Sequence, residues 1–297
     1  MDGLRKSRAR RRVRTRVALF LSLASLAGLY GLRLLGMVLR VSGLSAVALS
    51  TAGTLLCFLL PALAGLFMLD GDQHRMIALR ALSAQHMLWL AAAGALFIGP
   101  AALLAELPGA ALRLCGVELA QTAASAPDSG LFLPMLLQSA LLAPICEELF
   151  FRGYLMGAFA KAGRGRAIAA AALLFAAAHG VDAAFLPRFL LGCLLGGMAR
   201  RTGSILAPML MHGCYNAAVL LLGFAGASFS GRSLLFCALG LLSAALCFAM
   251  VARVYLARAN RAPVVWGGAL SRKETAKVAA AVLAVIAAVV VTEVTKP

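Results

Sequence analysis

Apolar residues in this chain come in long runs, and polar residues gather in short clusters between them. The runs fall at residues 17–39, 45–69, 86–105, 131–160, 167–180, 185–199, 204–224, 233–257 and 276–292. A helix needs ~20 apolar residues to cross the hydrocarbon of a bilayer. The pattern therefore predicts an all-α, polytopic transmembrane helical bundle, with about eight core spans plus an extra C-terminal span. The longest polar connection is residues 106–130, with Pro108, Pro127 and several Ser, Asp and Gly. No internal repeat and no second soluble domain is visible. The chain divides into a tail at 1–16, N-terminal spans and the polar loop at 17–130, a central block at 131–225, and C-terminal spans at 226–297.

Composition agrees. Of 297 residues, 62% are hydrophobic and only 13% charged, about half the charge of a soluble domain. The net charge of +17 would raise nucleic acid as a partner, but the position of the charges decides otherwise. "RKSRARRRVRTR" (5–16) stands just before the first apolar run, as a cytoplasmic flank does under the positive-inside rule. It implies contact with anionic lipid and no nucleic-acid arm. With the N-terminus inside, most of the 28 Lys and Arg fall on the cytoplasmic side. The first run resembles a secretory signal, yet "SLASLAG" is a weak cleavage site and the topology works best with the segment retained. The seven cysteines form no CxxC pair and no disulfide-like spacing.

Against this background "APICEELFFRGYL" (143–155) stands out, with Glu147, Glu148 and Arg152 inside an apolar run. Each intramembrane charge costs ~2.5–3.5 kcal/mol on insertion scales, so three together need partners or a wet cavity. Glu148 and Arg152 are four apart with Glu first, the favourable order for an ion pair on one helical face. Glu147 is turned ~100° away and has no such partner. Pro144, just upstream, frees backbone carbonyls. Two other runs carry polar residues at helical spacing: Phe175 and His179 in "FAAAHG", and His212 and Asn216 in "HGCYN".

A Glu in an apolar cavity can act as general base on water, and a neutral His can hold that water and shuttle its proton. A second His and an Asn amide supply donors for a tetrahedral oxyanion. The set suits a water-based acyl hydrolase without a covalent nucleophile.

"EELFFRG", "FAAAH" and "HGCYN" resemble, in order, the EExxxR, FxxxH and HxxxN/D motifs of the CAAX prenyl protease type II and bacteriocin-processing (CPBP or Abi) family, over about residues 131–225. The resemblance implies a glutamate-dependent intramembrane endopeptidase in a prokaryotic plasma membrane, with a peptide or membrane-protein substrate and no cofactor or metal. By that resemblance Glu147 and His179 activate water, and His212 and Asn216 stabilise the oxyanion. Glu148, Arg152 and Phe175 support the site.

Other readings remain beside it. A zinc-dependent variant is one, although the HExxH pairing is absent. There is no GxSG nucleophile motif, and "LDGD" (69–72) lacks the first glycine of GxGD. A proton relay in a transporter would place polar groups in paired inverted halves, which the chain lacks. A catalytically idle scaffold or bacteriocin-immunity protein of the same fold would keep the motifs for binding alone. Counting residues along the spans places the cavity within reach of the cytoplasm.

Overall fold

The computed structural model describes residues 2–67, 79–114, 129–160, 163–225 and 234–257, with the backbone alone at 2–15 and 108–113. Among the described residues the chain is helical throughout, with no strand. The helices are α1 (Asp2–Val38), α2 (Gly43–Phe67), α3 (Ala84–Leu96), α4 (Ile98–Leu114), α5 (Ser129–Ala158), α6 (Arg164–His179), α7 (Phe185–Thr202), α8 (Leu206–Phe224) and α9 (Leu234–Ala257).

Among the described residues, six stretches are long and apolar enough to cross a membrane: Arg16–Val38, Gly43–Phe67, Ala84–Leu107, Ser129–Ala158, Leu206–Phe224 and Leu234–Ala257. Their outward faces are unmistakably lipid-like. Phe20, Val38, Leu235, Phe248 and Leu256 are each at least two-thirds exposed, far more apolar surface than water tolerates on a monomer. The protein is a multi-pass membrane protein. The described residues do not confirm a count of eight core spans: the segments expected at 167–180 and 185–199 form α6 and α7, outside the six. Helix α6 has 16 residues, about 24 Å at 1.5 Å per residue and short of a ~30 Å core. Half of it is buried among its neighbours, so it is a central helix sheltered by the others. The ninth span, 276–292, lies outside the described residues, as does the "LDGD" stretch.

Two local features differ from the sequence expectation. Helix α4 carries helical backbone through Leu114, so the connection expected to start at 106 begins later. The third run bends at Phe97, between α3 and α4. Its cause is Pro100, which has no N–H for the Leu96 carbonyl. Ser243 of α9 donates its hydroxyl to that carbonyl at 2.5 Å, making good the lost bond.

The core has two parts. Phe58, Phe150, Phe151, Tyr154, Phe159 and Phe175 gather around α5, with ring centroids 5.4–5.8 Å apart for Phe58–Phe150, Phe58–Phe151 and Phe151–Phe175. Leu90, Phe97, Leu191, Leu195, Met198 and Met211 join α3, α7 and α8. Antiparallel packing gives the bundle two distinct ends. Arg80, Arg164, Arg166, Arg200, Arg201 and Arg253 stand at helix ends on the side where α1 begins. Contacts tie that end together: Ser204 donates to the Arg80 carbonyl at 2.7 Å, and Arg201 to the Tyr255 carbonyl at 2.8 Å.

Candidate active site

The site starts from an interruption in α5. This helix changes pitch twice, through wider π-type turns at Leu137–Leu142 and Leu149–Leu155. Such turns arise where the regular ladder is broken and gather at functional sites. Here Pro144 breaks it, leaving the carbonyls of Ser139 and Ala140 without a donor from position 144. Helix α8 comes to those carbonyls. Asn216 donates its amide Nδ2 to the Ser139 oxygen at 2.8 Å. Three residues earlier is Gly213, where a Cβ would fall 2.5 Å from the Ala140 oxygen, so only glycine permits the approach. The HGCYN segment is thereby docked on the α5 break.

Behind this contact lies a buried charge cluster. Arg152 donates from Nη1 to Glu148 Oε1 at 2.6 Å and from Nη2 to the Gly192 carbonyl at 3.1 Å. The same Glu148 oxygen lies 2.9 Å from His212 Nδ1. Glu148, Arg152 and His212 are all 2% exposed or less. The guanidinium also covers the Phe175 ring, 4.6 Å from its centroid. The i,i+4 ion pair is present, and a histidine from α8 completes it. Since Glu148 as a carboxylate can only accept, Nδ1 of His212 carries a proton toward it.

Glu147 faces the other way. It is 5% exposed, and its Oε2 is buried with no hydrogen-bond partner. Across from it is His179, whose Nε2 lies 3.7 Å away. His179 Nδ1 is 2.9 Å from the Phe175 carbonyl, which can only accept, so the Nδ1 proton is fixed there. The neutral ring then presents a bare Nε2 to Glu147.

The end of α6 is built to hold this geometry. Gly180 follows His179 with φ 111°, a conformation that side-chain-bearing residues rarely adopt. The next turn is pinned by Asp182, which accepts from the Ala184 amide at 2.9 Å and from Arg188 at 2.7 and 3.2 Å. Phe175 stands between the two histidines, with centroid distances of 4.8 Å to His179 and 5.4 Å to His212.

Glu147, His179, His212 and Asn216 all line one cavity of about 930 Å³. Glu148 and Arg152 do not; they sit behind its wall. Four helices complete the lining with residues that carry no motif: Leu29 to Val41 of α1 and its turn, Ala46 to Phe58 of α2, Met135 to Ala143 of α5, and Arg188 and Leu191 of α7. Gln138 closes the wall between α5 and α2, donating to Ser50 Oγ at 3.0 Å and to Thr54 Oγ1 at 3.4 Å. Sequence reasoning singled out none of these, because no motif or local rule marks them.

The position of the cavity bears on one expectation. Its α1 residues lie at the C-terminal end of that helix, and its α2 residues lie near the start of the next. The cavity is at the opposite end of the bundle from the basic N-terminus of α1. The expectation of a cytoplasmic N-terminus with a cavity reached from the cytoplasm meets a lining that extends toward the other end of the bundle.

Among the described residues no three His, Cys, Asp or Glu side chains converge as metal ligands. Residues 129–218 match the family model for type II CAAX prenyl endopeptidase, Rce1-like. That stretch contains all three motifs, and the match supports the CPBP/Abi family. No curated protein and no solved structure matches the chain.

Proposed function

With residues 129–218 matching the type II CAAX prenyl endopeptidase family, we propose that the protein is an intramembrane endopeptidase that cuts peptide bonds with a water activated by Glu147 and His179. The observation that carries this reading is the unpartnered Glu147 Oε2, buried at the cavity wall 3.7 Å from the lone-pair nitrogen of His179. Glu148 Oε2 is unpartnered too but does not border the cavity, so Glu147 is the carboxylate that a proton donor in the cavity can reach. The adjoining cavity of about 930 Å³ has room for a peptide segment, and a small opening between Glu147 and His179 would admit the water.

The chemistry balances without a covalent intermediate. Water donates one hydrogen to His179 Nε2 and the other to Glu147. As its oxygen bonds to the scissile carbonyl carbon, Glu147 takes the proton. The carbonyl oxygen becomes an oxyanion, stabilised by donors from α8. One is the second Nδ2 hydrogen of Asn216, the first being given to Ser139. The other is His212 Nε2, which donates only as imidazolium because Nδ1 is already committed to Glu148. In that form Glu147, Glu148, Arg152 and His212 together carry no net charge, the condition that makes four buried ionisable groups tolerable. Collapse of the intermediate breaks the C–N bond, and the proton on Glu147 passes to the leaving amine.

Glu148 and Arg152 act by position: they orient His212 and leave the cavity to Glu147. With the basic end cytoplasmic, the site serves segments that reach it from the outer face. Cleavage of a model transmembrane peptide in ¹⁸O-labelled water tests the reaction type. One label atom is expected in each new C-terminal carboxyl, and no acyl-enzyme is captured by an added amine. Trapping of an acyl adduct would overturn the water mechanism.

A further inference from the structure

The cavity holds positive charge that the reaction does not use. Arg33 and Arg40 of the α1 segment and Arg188 of α7 line it, and Glu147 is the one carboxylate among its described lining residues. Arg188 is committed to Asp182 through two contacts. Arg33 and Arg40 have no carboxylate within ion-pair distance among the described residues, where Glu148 is taken by Arg152 and Glu147 faces His179.

Arg33 is held by a neighbouring ring, and Arg40 by the conformation of its backbone alone. Tyr30 donates its hydroxyl to the Ala177 carbonyl at 2.5 Å, two residues before His179. Arg33 sits over the Tyr30 ring, 5.3 Å from its centroid. An arginine is therefore fixed to the end of α6 that presents the histidine. Arg40 occupies the turn into α2 at φ 50°, in the left-handed region. A glycine would adopt that backbone freely, whereas a side-chain residue there costs about 1–2 kcal/mol. Strain of this kind gathers where a side chain has a task. Arginines at helix ends ordinarily reach out to lipid headgroups. These two share a cavity with Glu147, and one is clamped to the catalytic helix. A carboxylate entering beside Glu147 meets repulsion that two unpaired guanidinium groups offset, since a low-dielectric cleft concentrates their field.

We infer that Arg33 and Arg40 form an anion-binding mouth to the cavity, and that the protein selects peptide segments presenting a carboxylate there, from an acidic side chain or from a chain terminus. This deepens the peptidase reading and rests on it for the word "substrate".

The test is binding to the full chain carrying Glu147→Gln, in nanodiscs of zwitterionic lipid. Three fluorescent apolar peptides of one sequence are compared: free C-terminus, amidated C-terminus, and amidated with one Glu near the end. At least one carboxylate peptide is expected to bind about tenfold tighter than the plain amide, the size of one hydrogen-bonded charge contact. Which one does so names the source. Adding Arg33→Gln or Arg40→Gln is expected to erase the difference while leaving the amide peptide within about twofold, and Arg33→Lys to keep part of it. Equal binding of all three peptides overturns the inference. So does equal weakening of every peptide by Arg33→Gln, or a preference that appears only when anionic lipid is added. Binding that keeps the carboxylate preference, with no cleavage of any peptide by the wild-type chain, leaves the mouth standing and removes the peptidase reading.

Discussion

Glu147 and Glu148 are neighbours in sequence and opposites in surroundings. Glu148 is enclosed behind the cavity wall, with one oxygen shared by Arg152 at 2.6 Å and His212 at 2.9 Å. Glu147 lies on the cavity side, with Oε2 unpartnered and a histidine at 3.7 Å. The ~100° turn between successive helical residues makes the separation possible. One carboxylate is used up in holding three helices together, because its partners come from α5 and α8 and Arg152 reaches α7. Each keeps an unpartnered Oε2, but only Glu147 borders the cavity. A buried polar group without a partner costs about 1–3 kcal/mol, so it persists only where the rest of the fold holds it. What separates the two glutamates is access to the cavity and not the presence of an unpartnered oxygen.

The largest effect expected on folding comes from the enclosed side. Glu148→Gln leaves Arg152 buried without its counter-charge, and breaking such a pair costs about 3–5 kcal/mol. Arg152→Met strands Glu148 in the same way. Both variants should melt well below wild type in detergent, with lower yield. Wild-type melting in both, with turnover alone lost, would erase the contrast between the two glutamates.

A middle-sized effect is expected at the joint between α5 and α8. Asn216→Asp keeps the shape but, as a carboxylate, has no hydrogen for the Ser139 carbonyl. The orphaned carbonyl should cost about 1–3 kcal/mol, and turnover should fall with the lost donor. Asn216→Ala should resemble it in stability. If Asn216→Asp melts and cleaves as wild type does, the Ser139 contact has no structural weight.

Smallest in energy is the test of the two ends. In a background with accessible cysteines replaced, Ser42→Cys lies at the cavity end and Arg166→Cys at the basic end. A membrane-impermeant thiol reagent added to intact cells is expected to label Ser42→Cys and spare Arg166→Cys. The reverse pattern would put the basic end outside and the cavity toward the cytoplasm.

The sequence disclosed much of the enclosed side and little of the cavity. Glu148 and Arg152 were legible because an i,i+4 pair is a local rule. The motifs placed Glu147, His179, His212 and Asn216 on three helices, and the structure brings all four to one cavity. The partners of His212 and Asn216 were not legible. One is a carboxylate 64 positions away, the other a backbone carbonyl that Pro144 released 77 positions away. The depth argument saw only part of the cavity. It counted residues along single spans, while the cavity is shaped by α1 and α2, whose Leu29, Gly53 and Thr54 look like any lipid-facing helix. Pro144 was the one local clue, read as freeing carbonyls without any sign of who would claim them.

The most direct test of the central claim is cleavage per folded molecule by Glu147→Gln and Glu148→Gln, measured side by side in proteoliposomes on one transmembrane substrate. Glu147→Gln is expected to melt as wild type does and to lose at least about 10²-fold in rate, the usual contribution of a general base. Glu148→Gln is expected to melt lower yet retain measurable cleavage in its folded fraction. A Glu147→Gln protein that still cuts at more than a few per cent of the wild-type rate would contradict the account.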